Sequence, residues 1–396
     1  MLARIDGQVV LVTGAIPGER VTAIVERVGR DVAYADTVAV DHGSADRRDL
    51  TADPLCGGCL YAHIAYARQL DIKAAVIEDA FARIARLVLP SRVRLAPSSE
   101  DGYRMRARLH VRGHRIGFFR EGTHEICDAR QTRQLLPATL DVLDRLSAGL
   151  GNGGLEAVRE IELAENIDAS DRVVQLDAAT TIDNRLLEQL AGTEALTGVV
   201  SRSSTQGSPF VTDRIAIGDE LLIVVRRHVA AFFQGNRYLL SSLVGHVVEQ
   251  VPDGSEVVDL YAGGGLFALG AAVARHAKVT SVEGDRVAAA DLEANAAAIG
   301  GAVIPVRQAV EAFVAASMIR PDCVILDPPR AGVSREAIDG VIRLHARRIV
   351  YVSCDVATLA RDSRRLVDSG YAIARVDGFD LFPNTAHVET VVVFEM

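Results

Sequence analysis

Residues 256–265 read Glu256-Val-Val-Asp-Leu-Tyr-Ala-Gly-Gly-Gly265, a predicted buried strand that runs directly into a glycine-rich turn. A helical pattern begins at Leu266, so the turn lies at the carboxyl end of the strand, where glycines let a ligand approach the backbone. About 20 residues further on, Glu283 ends a second predicted strand, in the position that binds ribose hydroxyls. The stretch therefore predicts a nucleotide-type cofactor site at the edge of a parallel sheet.

The glycine spacing alone leaves three interpretations open. Gly263-x-Gly265-x-x-Ala268 fits the dinucleotide fingerprint of nicotinamide enzymes, but such a turn also serves S-adenosylmethionine, or it simply allows close helix packing. From about residue 245 to the closing strand 390–394, predicted strands and helices alternate. This alternation is typical of a mostly parallel sheet with helices on both faces, so we predict an α/β domain here.

Composition and charge exclude several classes of protein. The 396 residues are 49% hydrophobic and 24% charged, which is ordinary for a globular protein of about two or three domains. The net charge of −9 excludes a wholly basic nucleic-acid-binding protein, although residues 92–133 carry ten arginines against five acidic residues. The longest uncharged stretch, 260–274, is too short and too rich in glycine to span a bilayer, and no secretory signal opens the chain. We expect a cytoplasmic protein without membrane association.

Two more motifs lie at ends of strands in the predicted sheet. Asp327-Pro-Pro-Arg330 makes a stiff turn suited to framing a flat base beside a methyl donor; an acidic cap on a proline turn is the plainer interpretation. Cys354 follows the strand 349–353, and His387 and Glu389 precede the last strand. Taken alone, Cys354 could equally be a residue of the core, and Glu389 could be a solvent-exposed residue at the edge of a strand.

Together, these groups predict one reaction. A thiolate that adds to C6 of uracil makes C5 nucleophilic towards a methyl group, and a base must then remove the C5 proton so that the thiolate can leave. Cys354 and Glu389 are the residue types that these two steps require.

The motifs resemble those of the RNA uracil-5-methyltransferases, which make 5-methyluridine in tRNA and rRNA with S-adenosylmethionine. The matching segments are Phe232-Phe-Gln-Gly-Asn236, Asp259-Leu-Tyr-Ala-Gly-Gly-Gly265, Asp327-Pro-Pro-Arg-Ala-Gly332, Val352-Ser-Cys-Asp-Val-Ala-Thr-Leu-Ala-Arg-Asp362 and Phe382-Pro-x-Thr-x-His-Val-Glu389. The resemblance covers almost the whole chain. It implies methyl transfer to C5 of a uridine in structured RNA, with Cys354 as the nucleophile, Glu389 as the base and no obligate protein partner.

The resemblance also implies a set of cofactor contacts. The residues that match the S-adenosylmethionine contacts of the family are Gln234, Tyr261, Glu283 and Asp327. Two positions depart from the family pattern: Val356 stands where proline is usual, and Leu266 stands where many members have a polar cofactor contact. We expect the first change to affect only the entry of a helix, and the second to remove one hydrogen bond to the cofactor.

The implied architecture has three domains. Residues 231–396 would form a Rossmann-like class I methyltransferase domain, and residues 49–230 a mixed α+β central domain with an arginine-rich RNA-binding face. Tyr103, Phe118 and Phe119 are interleaved with these arginines and are candidates for stacking on bases. Residues 1–48 would form a small RNA-binding β-barrel that lacks its usual first strand and is therefore expected to be truncated.

Three cysteines match a metal site of the family. Many relatives hold a 4Fe-4S cluster with four cysteines, of which Cys56, Cys59 and Cys127 are present, while Leu50 stands at the position of the fourth. The alternatives are a cluster completed by an oxygen ligand such as Asp53, a three-thiolate zinc site, or cysteines without a metal.

Three other functions stay open at this point. An RNA-binding protein with a vestigial site would also carry the arginine-rich segment. A cytosine-5 RNA methyltransferase would use the same chemistry, but its usual proline–cysteine arrangement is not found in the sequence. A nicotinamide oxidoreductase is favoured only by the spacing of the glycines.

Overall fold

The computed structural model describes residues 1–50, 53–113 and 115–396. The first strands form a four-stranded sheet in the order β1-β2-β4-β3. Their bounds are β1 (Leu2–Ile5), β2 (Gln8–Thr13), β3 (Arg20–Val28) and β4 (Val32–His42). Within the described residues the edge strands β1 and β3 do not pair with each other, so the predicted barrel is an open sheet. Its small core comes from alternating residues such as Val10 and Ala33.

The helix predicted near residues 61–87 is α1 (Tyr66–Ala80), which continues into a π-helical turn (Phe81–Ala85). A short strand, β5 (Arg94–Ala96), follows and pairs in parallel with the C-terminal sheet. Ile77 and Phe81 belong to a core layer of that same sheet. The predicted domain boundaries stay predictions, but these contacts show that part of segment 49–230 packs on the C-terminal sheet.

A seven-stranded sheet follows, in the order β12-β11-β10-β9-β6-β7-β8. Its strands are β6 (Arg106–Arg112), β7 (Arg115–Phe119), β8 (Ile126–Asp128), β9 (Val158–Glu165), β10 (Arg172–Ala178), β11 (Gly198–Val200) and β12 (Thr205–Gly207), and the helices between them are α2 (Pro137–Ala157) and α3 (Asn184–Ala191). Tyr103 and Phe118 are buried, so neither is available for base stacking as predicted. Phe119 is half-buried and stacks on His110.

The hairpin β13 (Phe210–Ile217) and β14 (Leu221–His228) and the helix α4 (Leu240–Glu249) lead into the C-terminal sheet. The strands of that sheet are β15 (Glu256–Leu260), β16 (Lys278–Glu283), β17 (Val303–Arg307), β18 (Cys323–Leu326), β19 (Arg348–Ser353), β20 (Ala372–Phe379) and β21 (Glu389–Glu395). Its helices are α5 (Leu266–Arg275), α6 (Arg286–Ala297), α7 (Val310–Ala316), α8 (Arg335–Leu344) and α9 (Val356–Asp368). The predicted alternation of strands and helices is therefore present.

The eight strands run in the order β17-β16-β15-β18-β19-β21-β20-β5. The first five are parallel, and β21 lies antiparallel between β19 and β20. Successive residues of a strand enter opposite core layers: Val257 and Val258 belong to different clusters, so both faces of the sheet are covered. The chain reverses its direction of winding between β15 and β18, and ligands of such sheets bind in the crevice at this point.

Across the described residues, no helix combines the length and the apolar character that crossing a membrane would require.

Candidate active site

The turn after β15 has the geometry of a ligand cradle. Tyr261, Gly263 and Gly265 have φ angles of 62°, 55° and 92°, a backbone conformation that only glycine adopts without strain. The N–H of Gly263 donates to Glu283 Oε2 at 2.8 Å, which ties the turn to the end of β16. A Cβ built on Gly263 would meet nothing within 4 Å, so the turn is open on the side where a side chain would be.

Three carboxyl groups surround this turn. Asp259 is fully buried, and within the described chain neither of its oxygens has a hydrogen-bond partner. Its pKa is raised well above the usual range, first by burial and then by the charges of Asp327 and Glu283. A ligand that brings positive charge and hydroxyl donors would relieve this repulsion, and S-adenosylmethionine carries a sulfonium, an ammonium and ribose hydroxyls. The residues present therefore fit this cofactor.

Gln234 approaches the same place from the segment before α4. Its side chain is buried, and Nε2 donates to Asp327 Oδ2 at 3.4 Å. Burial raises the pKa of Asp327, and the hydrogen bond from Gln234 acts against this increase. The structure thus brings Gln234 and Asp327 together, as their assignment to one ligand requires.

The two departures from the family pattern have simple structural settings. Leu266 begins α5 and is buried in the core beneath the turn, so it contributes packing. Val356 begins α9, whose N-terminus is capped by Asp355 through a bond of 2.8 Å from the N–H of Thr358. The helix therefore starts at this position without the proline.

Cys354 and Glu389 face each other across two neighbouring strands. In the antiparallel pair β19–β21, Ser353 is opposite Thr390, and Cys354 and Glu389 are the residues next to this pair; the Glu389 carboxylate is near enough to raise the pKa of Cys354. The Glu389 side chain is buried and Cys354 is half-buried. The two residues, 35 positions apart in sequence, thus lie at the sheet edge that also carries Asp327.

Burial raises the pKa of both groups. It raises the pKa of Cys354 to about 11, and the Glu389 and Asp327 carboxylates contribute to the increase. The pKa of Glu389 is also raised well above its usual range, first by burial and then by Asp327. Such strongly shifted groups in a crevice are typical of functional sites.

Arg330 is a site residue to which the sequence assigned no role. Its guanidinium lowers the pKa of both Cys354 and Glu389, against the effect of burial. The signal was present in the motif Asp327-Pro-Pro-Arg330, but nothing in the spacing shows that this turn brings the arginine close to the cysteine that follows the next strand.

Asp362 and Arg361 secure that turn. Asp362 is buried and accepts hydrogen bonds from Tyr351 Oη at 2.8 Å and from the N–H of Val333 at 3.0 Å. Arg361 pairs with Asp362 and donates to the carbonyl of Ala331. Both residues therefore hold the segment after Arg330 against α9. His387, the other acid–base candidate, is exposed in the loop before β21.

The three predicted metal ligands do not fit a cluster. Cys56 and Cys127 are joined in a disulfide, and Cys59 is a buried free thiol. Asp53 is engaged by Arg120, whose Nε donates to Oδ2 at 2.6 Å. Within the described ranges no group of three or more histidine, cysteine or carboxylate side chains could hold a metal ion. The assignment of Cys56, Cys59 and Cys127 as metal ligands thus stays a prediction that the geometry of the described residues does not support.

The arginine-rich segment is largely neutralised by its neighbours. Arg108 contacts Glu160 and Glu162, and Arg130 contacts Asp141 and Asp144. A cleft of about 1120 Å³ lies beside this segment, lined in part by Arg112, Arg115, Arg120, His124 and Cys127. Its lining does not include Cys354, Glu389 or Asp327, so this cleft and the acid–base groups are in different places.

Comparison with known proteins adds to this geometry. The model of the tRNA (uracil-5-)-methyltransferase family matches residues 173–396. An uncharacterized RNA methyltransferase of Thermotoga maritima is 32% identical over 98% of this chain and 94% of its own length. The 23S rRNA (uracil(1939)-C(5))-methyltransferase RlmD of Halomonas elongata is 31% identical over 99% of this chain and 86% of its own length.

A solved structure confirms the fold. The Pyrococcus abyssi tRNA (uracil-54, C5)-methyltransferase, in complex with S-adenosyl-L-homocysteine, superposes with a TM-score of 0.79 and covers 97% of this chain and 94% of its own, at 24% identity. The α/β architecture with a Rossmann-like methyltransferase core is therefore shared with that protein.

Proposed function

The chain belongs to the tRNA (uracil-5-)-methyltransferase family, and from this premise we propose how its residues carry out the reaction. It is an S-adenosylmethionine-dependent RNA (uracil-5-)-methyltransferase, whose substrate is a uridine of tRNA or rRNA. The observation that supports the proposal is the Ser353–Thr390 pair of β19 and β21, after which Cys354 and Glu389 are the next residues, close enough that Glu389 acts on the pKa of Cys354 and Asp327 on that of both. One thiol and one carboxyl group then face the same small space.

The turn after β15 would hold the cofactor. Glu283 is placed for the ribose hydroxyls at the end of β16, and Tyr261, Gln234 and Asp327 would contact the rest of the molecule. When bound, S-adenosylmethionine supplies an electrophilic methyl group on a positively charged sulfur. The carboxyl groups of Asp259 and Asp327 would stabilise the positive charge of the sulfur. In the described residues, no positive group lowers the pKa of either carboxyl group.

Cys354 would begin the reaction as a thiolate. It releases its proton to solvent, and its sulfur forms a bond to C6 of the uracil while the C5–C6 double bond becomes an enolate nucleophilic at C5. Arg330 assists because its positive charge favours the thiolate over the thiol. Since burial opposes ionisation of this thiol, we expect that closure of the site around RNA and cofactor completes its activation.

Glu389 would end the reaction. After C5 has taken the methyl group, the carboxylate of Glu389 accepts the C5 proton; the electrons of that bond restore the C5–C6 double bond and the Cys354 sulfur leaves as a thiolate. The raised pKa makes Glu389 a stronger base than an exposed carboxylate. The target uridine must be single-stranded or flipped out, because attack at C6 needs access to the face of the ring.

Labelling tests the proposal directly. The purified protein is incubated with methyl-labelled S-adenosylmethionine and undermodified tRNA or rRNA, and the digested RNA is separated into nucleosides. We expect label in 5-methyluridine with the unchanged protein and none with Cys354→Ala. Label in 5-methylcytidine, or label with Cys354→Ala at the normal rate, would contradict it.

A further inference from the structure

Helix α1 has two polar residues on its buried face. Gln69 and Lys73 are four positions apart and therefore lie one above the other on the same side of the helix, with exposures of 0% and 1%. A lysine seldom lies on the buried side of a helix unless a partner compensates its charge. Both residues have partners in one distant segment, the loop 380–388 between β20 and β21, and Gln69 also donates to the carbonyls of Tyr61 and Ile64 just before α1.

Lys73 fixes the start of this loop. Its Nζ donates to Asp380 Oδ1 and, at 3.0 Å, to the carbonyl of Phe382. The Asp380 side chain is 0% exposed, so the ion pair is shielded from water on both sides. Separating the partners of such a buried pair leaves an uncompensated charge. The relative positions of Lys73 and Asp380 are therefore tightly constrained.

Gln69 fixes the middle of the loop by a reciprocal pair of hydrogen bonds. The N–H of Asn384 donates to Gln69 Oε1 at 2.9 Å, and Gln69 Nε2 donates to Asn384 Oδ1 at 2.9 Å. Arg48 donates to the same Asn384 oxygen at 2.8 Å, and the N–H of Tyr61 donates to the Asn384 carbonyl. The amide, side chain and carbonyl of Asn384 are thus all held by residues more than 300 positions away.

The loop closes on Glu389. Phe379 is paired with Glu389 in the last rung of β20 and β21, so Asp380 leaves the sheet directly beside the proposed base. Cys354 is held differently: it lies between β19 and α9, and although α9 packs on α1, no hydrogen bond of the Lys73 or Gln69 side chain goes to β19 or α9. A change in these contacts would therefore reach Glu389 before it reaches the nucleophile.

We propose that Lys73 and Gln69 are positioning residues for Glu389, which they hold in place through the loop 380–388. The inference rests on the proposed function of Glu389 as the base. It predicts that loosening the loop slows the removal of the C5 proton more than the addition of Cys354 to C6. The enzyme would then remain attached to methylated RNA for longer.

The test uses the full chain with the variants Gln69→Met and Lys73→Met. Gln69→Met leaves no buried charge behind, so it stays informative if Lys73→Met fails to fold. Lys278→Met, at the exposed start of β16 and the other lysine of the chain, is the matched control. The protein is mixed with S-adenosylmethionine and the RNA that takes label, quenched in denaturant at intervals, and separated into free and protein-bound RNA; thermal melting and S-adenosylhomocysteine binding report the fold.

We expect the folded Gln69→Met and Lys73→Met proteins to form the denaturant-resistant adduct at the normal rate and to release it about 10- to 100-fold more slowly, as displaced catalytic groups do. Lys278→Met should match the unchanged protein. If formation and release slow equally in a folded variant, or if neither changes, the positioning role is wrong. If Glu389→Gln itself accumulates no adduct, the proposed role of Glu389 fails and the inference falls with it.

Discussion

Cys354 and the trio Cys56, Cys59 and Cys127 match the same family equally well in sequence, yet the structure treats them differently. Cys354 lies at the end of a strand, where the register of the sheet places it opposite Glu389. Of the trio, Cys56 and Cys59 lie outside the helices and strands and Cys127 lies in the short strand β8, and Cys56 pairs with Cys127 as a disulfide. The position that would supply the fourth ligand is Leu50. A motif is therefore reliable where regular backbone fixes its geometry and where its set of chemical groups is complete.

The two regions also differ in their electrostatics. Arg330 lies beside Cys354 and favours the thiolate form of this cysteine, whose side chain is half-buried. Cys59 is buried, and the nearest charge that acts on it is the carboxylate of Asp53, so its pKa is raised to about 11 with no cation acting against it. One thiol is arranged to react with a ligand, and the other is arranged as part of a core.

The largest expected effect separates these two thiols. Cys354→Ala should lower methylation by about 10³-fold or more, because it removes the group that makes C5 nucleophilic, while S-adenosylhomocysteine binding is retained. Cys59→Ala is the matched control and should keep most of the activity. Both rates are measured with labelled cofactor under single-turnover conditions. Equal losses of methylation activity in the two variants would contradict the different roles assigned to the two thiols.

The pH dependence of the same step should be steep. Burial raises the pKa of Cys354 to about 11 and also raises that of Glu389, and the proposed mechanism uses both groups in their deprotonated forms. The rate should therefore increase with pH, by about tenfold per unit between about pH 6.5 and 8.5 if the thiolate limits it. A flat or falling profile with bound RNA and cofactor would show that Cys354 does not limit the reaction as a buried thiol.

A smaller effect concerns Arg330. Arg330→Met removes the positive charge beside Cys354, so the pKa of the thiol should rise further and its alkylation by iodoacetamide should slow by about tenfold per pKa unit. Arg330→Lys keeps the charge and should restore most of the rate. Peptide mass analysis assigns the label to Cys354, while the buried Cys59 serves as the unreactive reference. Faster alkylation in Arg330→Met would contradict the assigned electrostatic role.

The smallest effect on activity is expected from the other region. The unreduced protein in denaturant should show three free thiols, Cys59, Cys323 and Cys354, and five after reduction of the Cys56–Cys127 bond. Because the proposed mechanism uses neither Cys56 nor Cys127, reduction should change the methylation rate by less than about twofold, although it removes a cross-link worth about 4 kcal/mol in chain entropy. Stoichiometric iron and sulfide in the isolated protein would contradict the disulfide.

The sequence was sufficient for the catalytic edge because its residues occupy strand ends. Short, nearly continuous apolar runs predict β15, β18 and β19, and once the sheet is parallel, Glu283, Asp327 and Cys354 must share one edge. The antiparallel return of β21 between β19 and β20, which brings Glu389 near Cys354, was not predicted. Hydrophobic periodicity indicates a strand but not its neighbour or its direction.

The sequence did not predict the environment of residues that lie where their type is seldom found. Lys73 has the pattern of a solvated helical residue, and its buried partner Asp380 lies about 300 positions later. Strand β5 is only three residues long and has no readable period, so its place in the C-terminal sheet could not be foreseen. Tyr103 and Phe118 lie among arginines, yet both are buried in the core.

One mass measurement tests most directly whether Cys354 and Glu389 act on the same ring. The Glu389→Gln protein is incubated with S-adenosylmethionine and the RNA that takes label, then denatured and weighed intact. We expect a species equal to the protein plus methylated RNA, and its complete absence in the Cys354→Ala/Glu389→Gln double variant. Release of methylated RNA at the normal rate by Glu389→Gln, with no such species, would contradict the account.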